Sequence, residues 1–275
     1  MTILKAILLT LLLIFVFSLT QVGFGFIFYK TELLPEYLQK HIGITTVISF
    51  LVAYVVMFRF FWKPKAKIKK TINFRNYELK ILPYLILIVF GLQLLNRPFW
   101  DFVRIWDYLN YSKFETDFSA FDGFSPAFLY GTISTLIIAP ICEELFFRKF
   151  LLKKLMGQNS QKIGIIISSL CFAIIHIETP FNLIPTFIFG IISGLIFIKT
   201  KRIIYSIILH FLVNLTVITL YVFDFTFDRW LFTLEFNFIY WLTFVIGIGI
   251  TYFATKKLLA TSHNKNGEIC AEKGV

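Results

Sequence analysis

The sequence is poor in the residues on which soluble and disulfide-stabilised proteins depend. Only 16% of its 275 residues are charged, and its three cysteines are scattered at positions 142, 171 and 270. Three such cysteines argue against a disulfide framework and a cysteine-based metal site. No internal repeat, low-complexity tract or separate polar domain is visible. The chain is therefore not a small secreted scaffold, a repeat protein or an ordinary soluble domain.

Apolar residues dominate what is present. They make up 57% of the chain, including 35 phenylalanines, and the mean hydropathy is +0.77. They occur in runs of roughly 18 to 22 residues, the length that a bilayer-spanning helix needs. We predict an all-α integral membrane protein with about eight transmembrane helices and a polar site in the membrane core. The predicted spans are Ile3–Tyr29, Ile42–Trp62, Ile81–Leu95, Ala127–Phe150, Ile163–Ile177, Phe181–Ile198, Ile203–Val222 and Phe236–Ala254.

Two of these runs carry further signals. In the first run Lys5 precedes a long Leu/Ile/Phe stretch, as in a signal peptide, but no small-x-small cleavage pattern precedes Gln21, so we interpret the run as a retained helix. In the sixth run, Gly190 and Gly194 form a small-x-x-x-small face. Such a face predicts that a neighbouring helix packs closely against it.

The net charge of +11 reflects membrane orientation rather than a nucleic-acid partner. With the N-terminus inside and eight crossings, twenty of the 27 lysines and arginines fall on the inner side and six on the outer side, with Arg148 inside a span. Basic residues accumulate on the cytoplasmic side of membrane proteins. We therefore expect a multi-pass cell-membrane protein with both termini in the cytoplasm, and membrane lipids among its partners.

Two connections between spans are long enough to have a structure of their own. The basic segment Lys63–Lys80 is expected to lie along the inner headgroups. In the outer segment 96–125, apolar residues recur at helical spacing, and acidic and basic residues face the other way, which predicts an interfacial helix. The apolar residues are Phe99, Phe102, Val103, Trp106 and Leu109, and the polar ones are Asp101, Arg104 and Asp107. Such a helix either anchors the protein or covers a substrate groove.

Ionisable residues inside spans are costly, and they tend to mark functional sites. Here they occur in the fourth, fifth and seventh spans, as Glu143, Glu144, Arg148, His176 and His210, with Asn214 one turn beyond His210. Glu144 and Arg148 are four residues apart and can pair on one helix face, as His210 and Asn214 can share a face. Glu143 points about 100° away from Glu144 and is left for another partner.

This set of side chains suits the hydrolysis of an amide. A buried carboxylate beside a neutral imidazole can take a proton from water and direct the hydroxide at a carbonyl. A second imidazole and an amide, here His210 and Asn214, can hold the oxyanion that forms. As an alternative, Glu143, His176 and His210 could bind a zinc ion that polarises the water. The sequence does not choose between these mechanisms.

Three motifs follow one another on these spans, with Gly190 and Gly194 between the last two. They read E-E-x-x-x-R from Glu143 to Arg148, F-x-x-x-H from Phe172 to His176, and H-x-x-x-N from His210 to Asn214. In this order they resemble the CPBP family of CAAX-processing and bacteriocin-processing intramembrane proteases, which includes the type II CAAX prenyl endopeptidases. The resemblance covers roughly residues 127–222, about a third of the chain.

The resemblance implies an eight-helix fold whose site opens toward the cytoplasm, with Glu143 and His176 activating water and His210 and Asn214 stabilising the oxyanion. Glu144 and Arg148 would support the site. The substrate would be a peptide or protein, including lipidated ones, and whether a metal takes part stays open. Transmembrane helices and the interfacial helix (1–124) would precede a catalytic core (125–222), and a last helix and cytoplasmic tail (223–275) would follow. A proton-coupled transporter, or a non-catalytic scaffold or immunity protein of the same fold, are the alternatives.

Overall fold

The chain folds into a bundle of α-helices. The computed structural model describes residues 1–30, 41, 43–62, 79–116 and 121–271, and it describes their side chains apart from 28–30 and 262–271. No strand occurs among these residues. The helices are α1 (Ile3–Lys30), α2 (Ile44–Met57), α3 (Leu82–Trp100), α4 (Phe102–Tyr111), α5 (Pro126–Leu155), α6 (Gln161–Ile174), α7 (Leu183–Thr200), α8 (Ile203–Val222), α9 (Thr226–Phe232) and α10 (Phe238–Ala271).

The predicted spans each coincide with a helix, although one of them is short. Seven helices in the described part of the chain are long and apolar enough to cross a membrane, and α6 is a shorter apolar helix. The seven confirm a multi-pass, all-α membrane protein. Local chemistry sets several boundaries: the Ser125 hydroxyl accepts from the Phe128 amide and begins α5, and the Ser160 hydroxyl accepts from the Ile163 amide and begins α6. Of the predicted headgroup segment, residues 63–78 lie outside the described residues.

The surface of the bundle is apolar along the spans, as lipid requires. Large side chains such as Phe15, Val22, Val55, Phe90 and Phe253 are each more than half exposed. A water-soluble protein rarely exposes so much contiguous apolar area. The interior core gathers aromatic and aliphatic side chains from most of the spans. The apolar residues therefore fall into two groups: some pack in the protein interior, and others face the bilayer.

Close helix packing in the centre of the bundle depends on small residues. A Cβ atom added at Gly190 on α7 would lie 2.9 Å from the Ser169 Cβ on α6, which confirms the predicted close approach at this glycine. At Gly194 the added atom would meet its nearest neighbour, Ile165, at an ordinary 3.5 Å. Only the first of the two glycines is therefore required by the contact between α6 and α7.

Close glycine contacts also join α3 and α10, the helix pair with the most extensive interface. A Cβ at Gly247 would lie 2.5 Å from the Leu95 backbone nitrogen and 2.9 Å from the Gly91 carbonyl oxygen, and backbone atoms cannot move aside. Overpacking of this kind costs about 1–3 kcal/mol. We expect Gly247→Ala to lower the free energy of unfolding in detergent by about that amount. Gly249→Ala is the control, because nothing lies within 4 Å of its added Cβ.

The helix predicted in the outer segment is present as α4, but its polar side faces protein. Asp101 is buried at the junction of α3 and α4, where it contacts Arg97 at 3.2 Å and accepts a hydrogen bond from the Tyr240 hydroxyl at 2.8 Å. Arg97 also binds Asp228 at 2.6 Å, and Arg104 lies 3.8 Å from Asp101. Burial raises the pKa of the Asp101 and Asp228 carboxyls, and the positive charge of Arg97 opposes that shift.

The orientation of the polar side of α4 toward protein has a physical reason. The apolar side of α4, with Phe102, Trp106 and Leu109, is largely exposed and suits the membrane interface. Once those residues face lipid, the opposite side faces the bundle, where a carboxylate needs a cation and hydrogen-bond donors. The charged cluster thus ties α3, α4, α9 and α10 together at one end of the bundle.

Candidate active site

The two glutamates lie at an irregular point of α5. The α-helical turn Ala139–Glu144 is flanked by two π-helical segments, Ser134–Ile138 and Leu145–Leu152. Pro140 lacks a backbone N–H and so cannot continue a regular hydrogen-bond ladder through this turn. Single π-helical turns inside α-helices frequently mark functional sites. The irregular backbone and the two buried glutamates thus occur at the same place in α5.

Glu144 and Arg148 form a fully buried ion pair. The Arg148 Nε atom lies 3.2 Å from Glu144 Oε2, and neither side chain is exposed. The Ser193 hydroxyl on α7 donates to Glu144 Oε2 at 2.6 Å and accepts from Arg148 Nε at 3.2 Å. On α6, the Ser168 hydroxyl accepts from Arg148 Nη1 at 3.2 Å and donates to the Phe147 carbonyl at 2.8 Å. The pair therefore joins three helices through hydrogen bonds.

His210 on α8 is held between the two glutamates. Its Nδ1 atom lies 3.2 Å from Glu144 Oε1, and because a carboxylate only accepts, Nδ1 carries the hydrogen. The Nε2 atom on the other side of the ring lies 3.8 Å from Glu143 Oε2. The ring packs against Phe189 and Phe172, with centroid distances of 4.9 and 5.8 Å. Glu144 thus fixes which edge of the imidazole is turned toward Glu143.

Glu143 has a different environment from its neighbour in sequence. It is 5% exposed, yet its Oε2 atom has no hydrogen-bond partner in the part of the chain that the structure describes. Buried polar atoms in folded proteins are nearly always paired, so an unpaired carboxylate oxygen calls for an explanation. A reacting water or substrate that binds at Glu143 would supply the missing partner.

His176 lies two residues beyond the end of α6, in a turn rather than on the helix that was predicted to extend to residue 177. Its Nδ1 atom donates to the Phe172 carbonyl at 3.0 Å, because a carbonyl can only accept. In the neutral ring this leaves the lone pair on Nε2, the nitrogen available to accept a hydrogen bond. The Phe172 ring, 5.0 Å away, limits rotation of the imidazole.

Glu143 and His176 line one cavity of about 210 Å³. Most of its wall is apolar and is contributed by α1, α2 and the segment that follows α6. A concave, mostly apolar space with a few polar groups is the usual form of a ligand site. The lining residues are Leu13, Ile14, Phe17, Phe50, Ala53, Tyr54, Glu143, Ile175, His176, Ile177 and Glu178.

The remaining predicted site residues lie outside the cavity wall. His210 contacts Glu143 without lining the cavity, and the Asn214 Nδ2 atom donates to the Thr135 carbonyl on α5 at 2.7 Å. Asn214 therefore braces α8 against the π-helical segment of α5. One network of close polar contacts contains Glu143, Glu144, Arg148 and His210. His176 lines the same cavity as Glu143.

The zinc alternative requires Glu143, His176 and His210 to converge on one point. Among the described side chains, no group of three or more His, Cys, Asp or Glu residues is arranged to hold a metal ion. His210 is not part of the cavity that Glu143 and His176 line. The site as it is arranged does not fit a zinc ion.

Three polar residues of this region are absent from the sequence prediction. Ser168 and Ser193 hold the ion pair, and Tyr54 lines the cavity from α2. Ser193 adjoins Gly194 on the predicted packing face, so a small polar residue at a helix contact was its only signal. Tyr54 is one of 12 tyrosines and lies about ninety positions before Glu143, where no spacing rule connects them.

Comparison with known proteins points to the same part of the chain. Residues 125–216 match the family model described as type II CAAX prenyl endopeptidase Rce1-like. The UPF0177 protein YxdF of Lactococcus lactis subsp. lactis (strain IL1403) is 34% identical over 79 residues. That alignment covers 29% of this chain and 43% of YxdF, less than half of the relative's length. No solved structure matches.

The matched segment runs from the start of α5 into α8 and so contains every charged or imidazole side chain of the network described above. It lies within the predicted core of residues 125–222 and leaves the other helices unmatched. Over residues 125–216, this chain is therefore similar to the Rce1-like family of type II CAAX prenyl endopeptidases.

Proposed function

We propose that the protein is an intramembrane endopeptidase that hydrolyses a peptide bond with water activated by Glu143 and His176. One observation carries the proposal: within the described part of the chain, a buried glutamate oxygen without a hydrogen-bond partner belongs to a residue that shares a cavity with an imidazole. A general base must be within hydrogen-bond reach of the proton that it removes. The family similarity over residues 125–216 supports a protease of this class.

In the first step, a water molecule donates one hydrogen bond to Glu143 Oε2 and the other to His176 Nε2. Glu143 takes a proton as the water oxygen forms a bond to the carbonyl carbon, and the carbonyl electron pair moves to its oxygen. In the second step, the carbon–nitrogen bond breaks and Glu143 returns the proton to the leaving amine. One water is consumed, and one carboxyl and one amine are produced.

His210 and Asn214 remain the proposed donors to the oxyanion, as the sequence predicts. When protonated, His210 can donate from Nε2, the atom that faces Glu143. Asn214 keeps one N–H beyond the hydrogen that it donates to Thr135. Donors that are held in place before the reaction stabilise developing charge without reorganisation.

Glu144 and Arg148 are proposed to position His210 and to take no direct part in the reaction. Glu144 holds His210 by its Nδ1 edge, and Arg148 neutralises Glu144 inside the membrane core. An ion pair with additional hydrogen bonds, here four, is the arrangement in which a buried charge is best tolerated. This division leaves Glu143 as the carboxylate available for chemistry.

The direct test uses purified protein in detergent with a library of peptides and lipidated peptides. We expect wild-type protein to cleave members of the library, and Glu143→Gln and His176→Ala to cleave none at a comparable rate. Activity should persist in a strong chelator, because the donors do not fit a metal site. If wild type cleaves nothing, a scaffold or transporter role becomes the better interpretation, and if either variant cleaves equally well, the proposed chemistry is wrong.

Both termini are proposed to lie in the cytoplasm, and the proposal rests on the twenty-to-six distribution of basic residues. A reporter fused after residue 275 should therefore give the signal of an internal location in living cells. The matched control is the same reporter fused at Asn110, in the connection assigned to the outer side. An external signal from the C-terminal fusion would overturn this orientation and, with it, access to the site from the cytoplasm.

A further inference from the structure

Tyr54 faces the candidate site from a part of the chain that lies outside the family match. It is on α2, 3% exposed, and it lines the same cavity as Glu143 and His176. Its ring is held among aromatic neighbours: Phe50 at a centroid distance of 4.7 Å, and Phe146 on α5 at 6.0 Å in an edge contact. The phenol is therefore fixed in place next to the helix that carries the proposed base.

The Tyr54 hydroxyl has no hydrogen-bond partner in the described part of the chain. A buried tyrosine hydroxyl usually finds one, since an unpaired polar group costs about 1–3 kcal/mol. Two unpaired buried atoms thus belong to side chains of one cavity: a carboxylate oxygen that accepts and a phenol that donates. A bound reactant that offers both a hydrogen-bond donor and an acceptor could pair with both atoms at once.

Three of the four N–H groups that neutral His176, neutral His210 and Asn214 supply near the cavity are already engaged. The N–H of His176 is used on the Phe172 carbonyl, that of His210 on Glu144, and one N–H of Asn214 on Thr135. Among the cavity-lining side chains, Tyr54 is the one whose donor is not committed to another protein atom. A peptide carbonyl that accumulates negative charge during attack needs such a donor.

We propose that Tyr54 is a further catalytic residue, whose hydroxyl donates a hydrogen bond to the scissile carbonyl oxygen as it becomes an oxyanion. The inference rests on the proposed peptidase function and adds a residue from α2 to a site otherwise built from α5, α8 and the turn after α6. As the water oxygen bonds to the carbonyl carbon, the electron pair displaced onto the oxygen is stabilised by the phenol, which keeps its proton. The donor returns to its resting state when the carbon–nitrogen bond breaks.

A purely structural tyrosine and a catalytic one respond differently to Tyr54→Phe. The change keeps the ring and its aromatic contacts and removes only the unpaired hydroxyl. Removing an unsatisfied buried group does not cost stability and can increase it. We therefore expect an unchanged or higher unfolding temperature in detergent, together with a kcat lower by about 10²–10³-fold and a nearly unchanged KM. A structural role would move neither kinetic constant.

Ser49→Ala is the matched control. Ser49 is on the same helix and is fully buried, and its hydroxyl also has no hydrogen-bond partner among the residues that the structure describes, but it does not line the cavity. It should retain wild-type kcat and KM. A Tyr54→Phe variant with a kcat within threefold of wild type would overturn the inference, even if Glu143→Gln is inactive and the peptidase proposal stands.

A binding measurement separates this inference from the peptidase proposal as a whole. Phosphinate versions of the library peptides carry a charged tetrahedral centre in place of the scissile carbonyl, and they bind without turnover. We expect Tyr54→Phe to weaken their binding about 100-fold and the uncleaved parent peptides by less than threefold. Equal phosphinate affinity in both proteins, or no binding to wild type, refutes the role of Tyr54. Tyr54-dependent binding without any cleavage would refute the peptidase proposal instead.

Discussion

Replacing Glu143 with glutamine is expected to lower kcat by about 10²–10⁴-fold, the usual contribution of a general base. Glutamine has the size of glutamate but cannot accept a proton from water. KM should change little, because the substrate contacts of the apolar cavity wall remain. The free energy of unfolding should not fall, since the lost Oε2 atom has no hydrogen bond in the described part of the chain. Steady-state kinetics and thermal unfolding of the same preparation measure both effects.

The neighbouring residue provides the sharpest contrast. Glu144→Gln removes a charge that pairs with Arg148 and accepts from Ser193 and His210, so this variant should lose stability as well as activity. Glu115→Gln, at an exposed position away from the site, controls for the loss of any carboxylate. A Glu143→Gln enzyme with kcat within threefold of wild type would show that Glu143 is not the base.

The largest expected loss of stability follows from Arg148→Met. Methionine fills much of the volume of arginine, but it leaves the Glu144 carboxylate fully buried without its cation. Breaking a buried pair from one side typically costs about 3–5 kcal/mol. That is a large share of the roughly 5–15 kcal/mol by which a folded domain is stable. Reversible unfolding in mixed detergent micelles should show this decrease directly.

Two further variants show whether the charge is the cause. Combining Glu144→Gln with Arg148→Met removes both charges, so the double variant should be less destabilised than the sum of the single changes. Arg229→Met affects a partly exposed pair with Asp224 at 3.3 Å, where about 0–1 kcal/mol is expected. Simple additivity of the two buried substitutions would contradict the coupling between Glu144 and Arg148.

Several features of the fold follow from local rules and were accessible from the sequence. Long apolar runs predict the spans, because each run must bury its own backbone hydrogen bonds in lipid. The spacing of four residues predicts the Glu144–Arg148 pair, which the structure has at 3.2 Å. Gly190 predicts a close helix contact, and α6 and α7 meet there. Each of these depends on one helix and its geometry.

Other features depend on which helices pack against a given residue, and the sequence pattern does not predict those neighbours. Helical spacing separates Asp101 from the apolar side of α4, but only the packing of α9 and α10 turns it into a buried partner of Arg97 and Tyr240. His176 was expected on a helix, yet α6 ends at Ile174 and a turn carries the imidazole. The burial of Asp101 arises from contacts between segments far apart in the chain. The turn at His176 is held by local hydrogen bonds, including the one to the Phe172 carbonyl.

Residence in a membrane and the presence of buried Glu and His residues were thus determined by the sequence itself, since composition and period describe what one helix can expose to lipid. The tertiary structure decided how the two adjacent glutamates differ. Glu144 meets Arg148, Ser193 and His210, whereas Glu143 lines the cavity and its Oε2 atom has no hydrogen-bond partner among the described residues. Helix geometry sets the angle between neighbouring side chains, but only the packing of other helices decides what each of them meets.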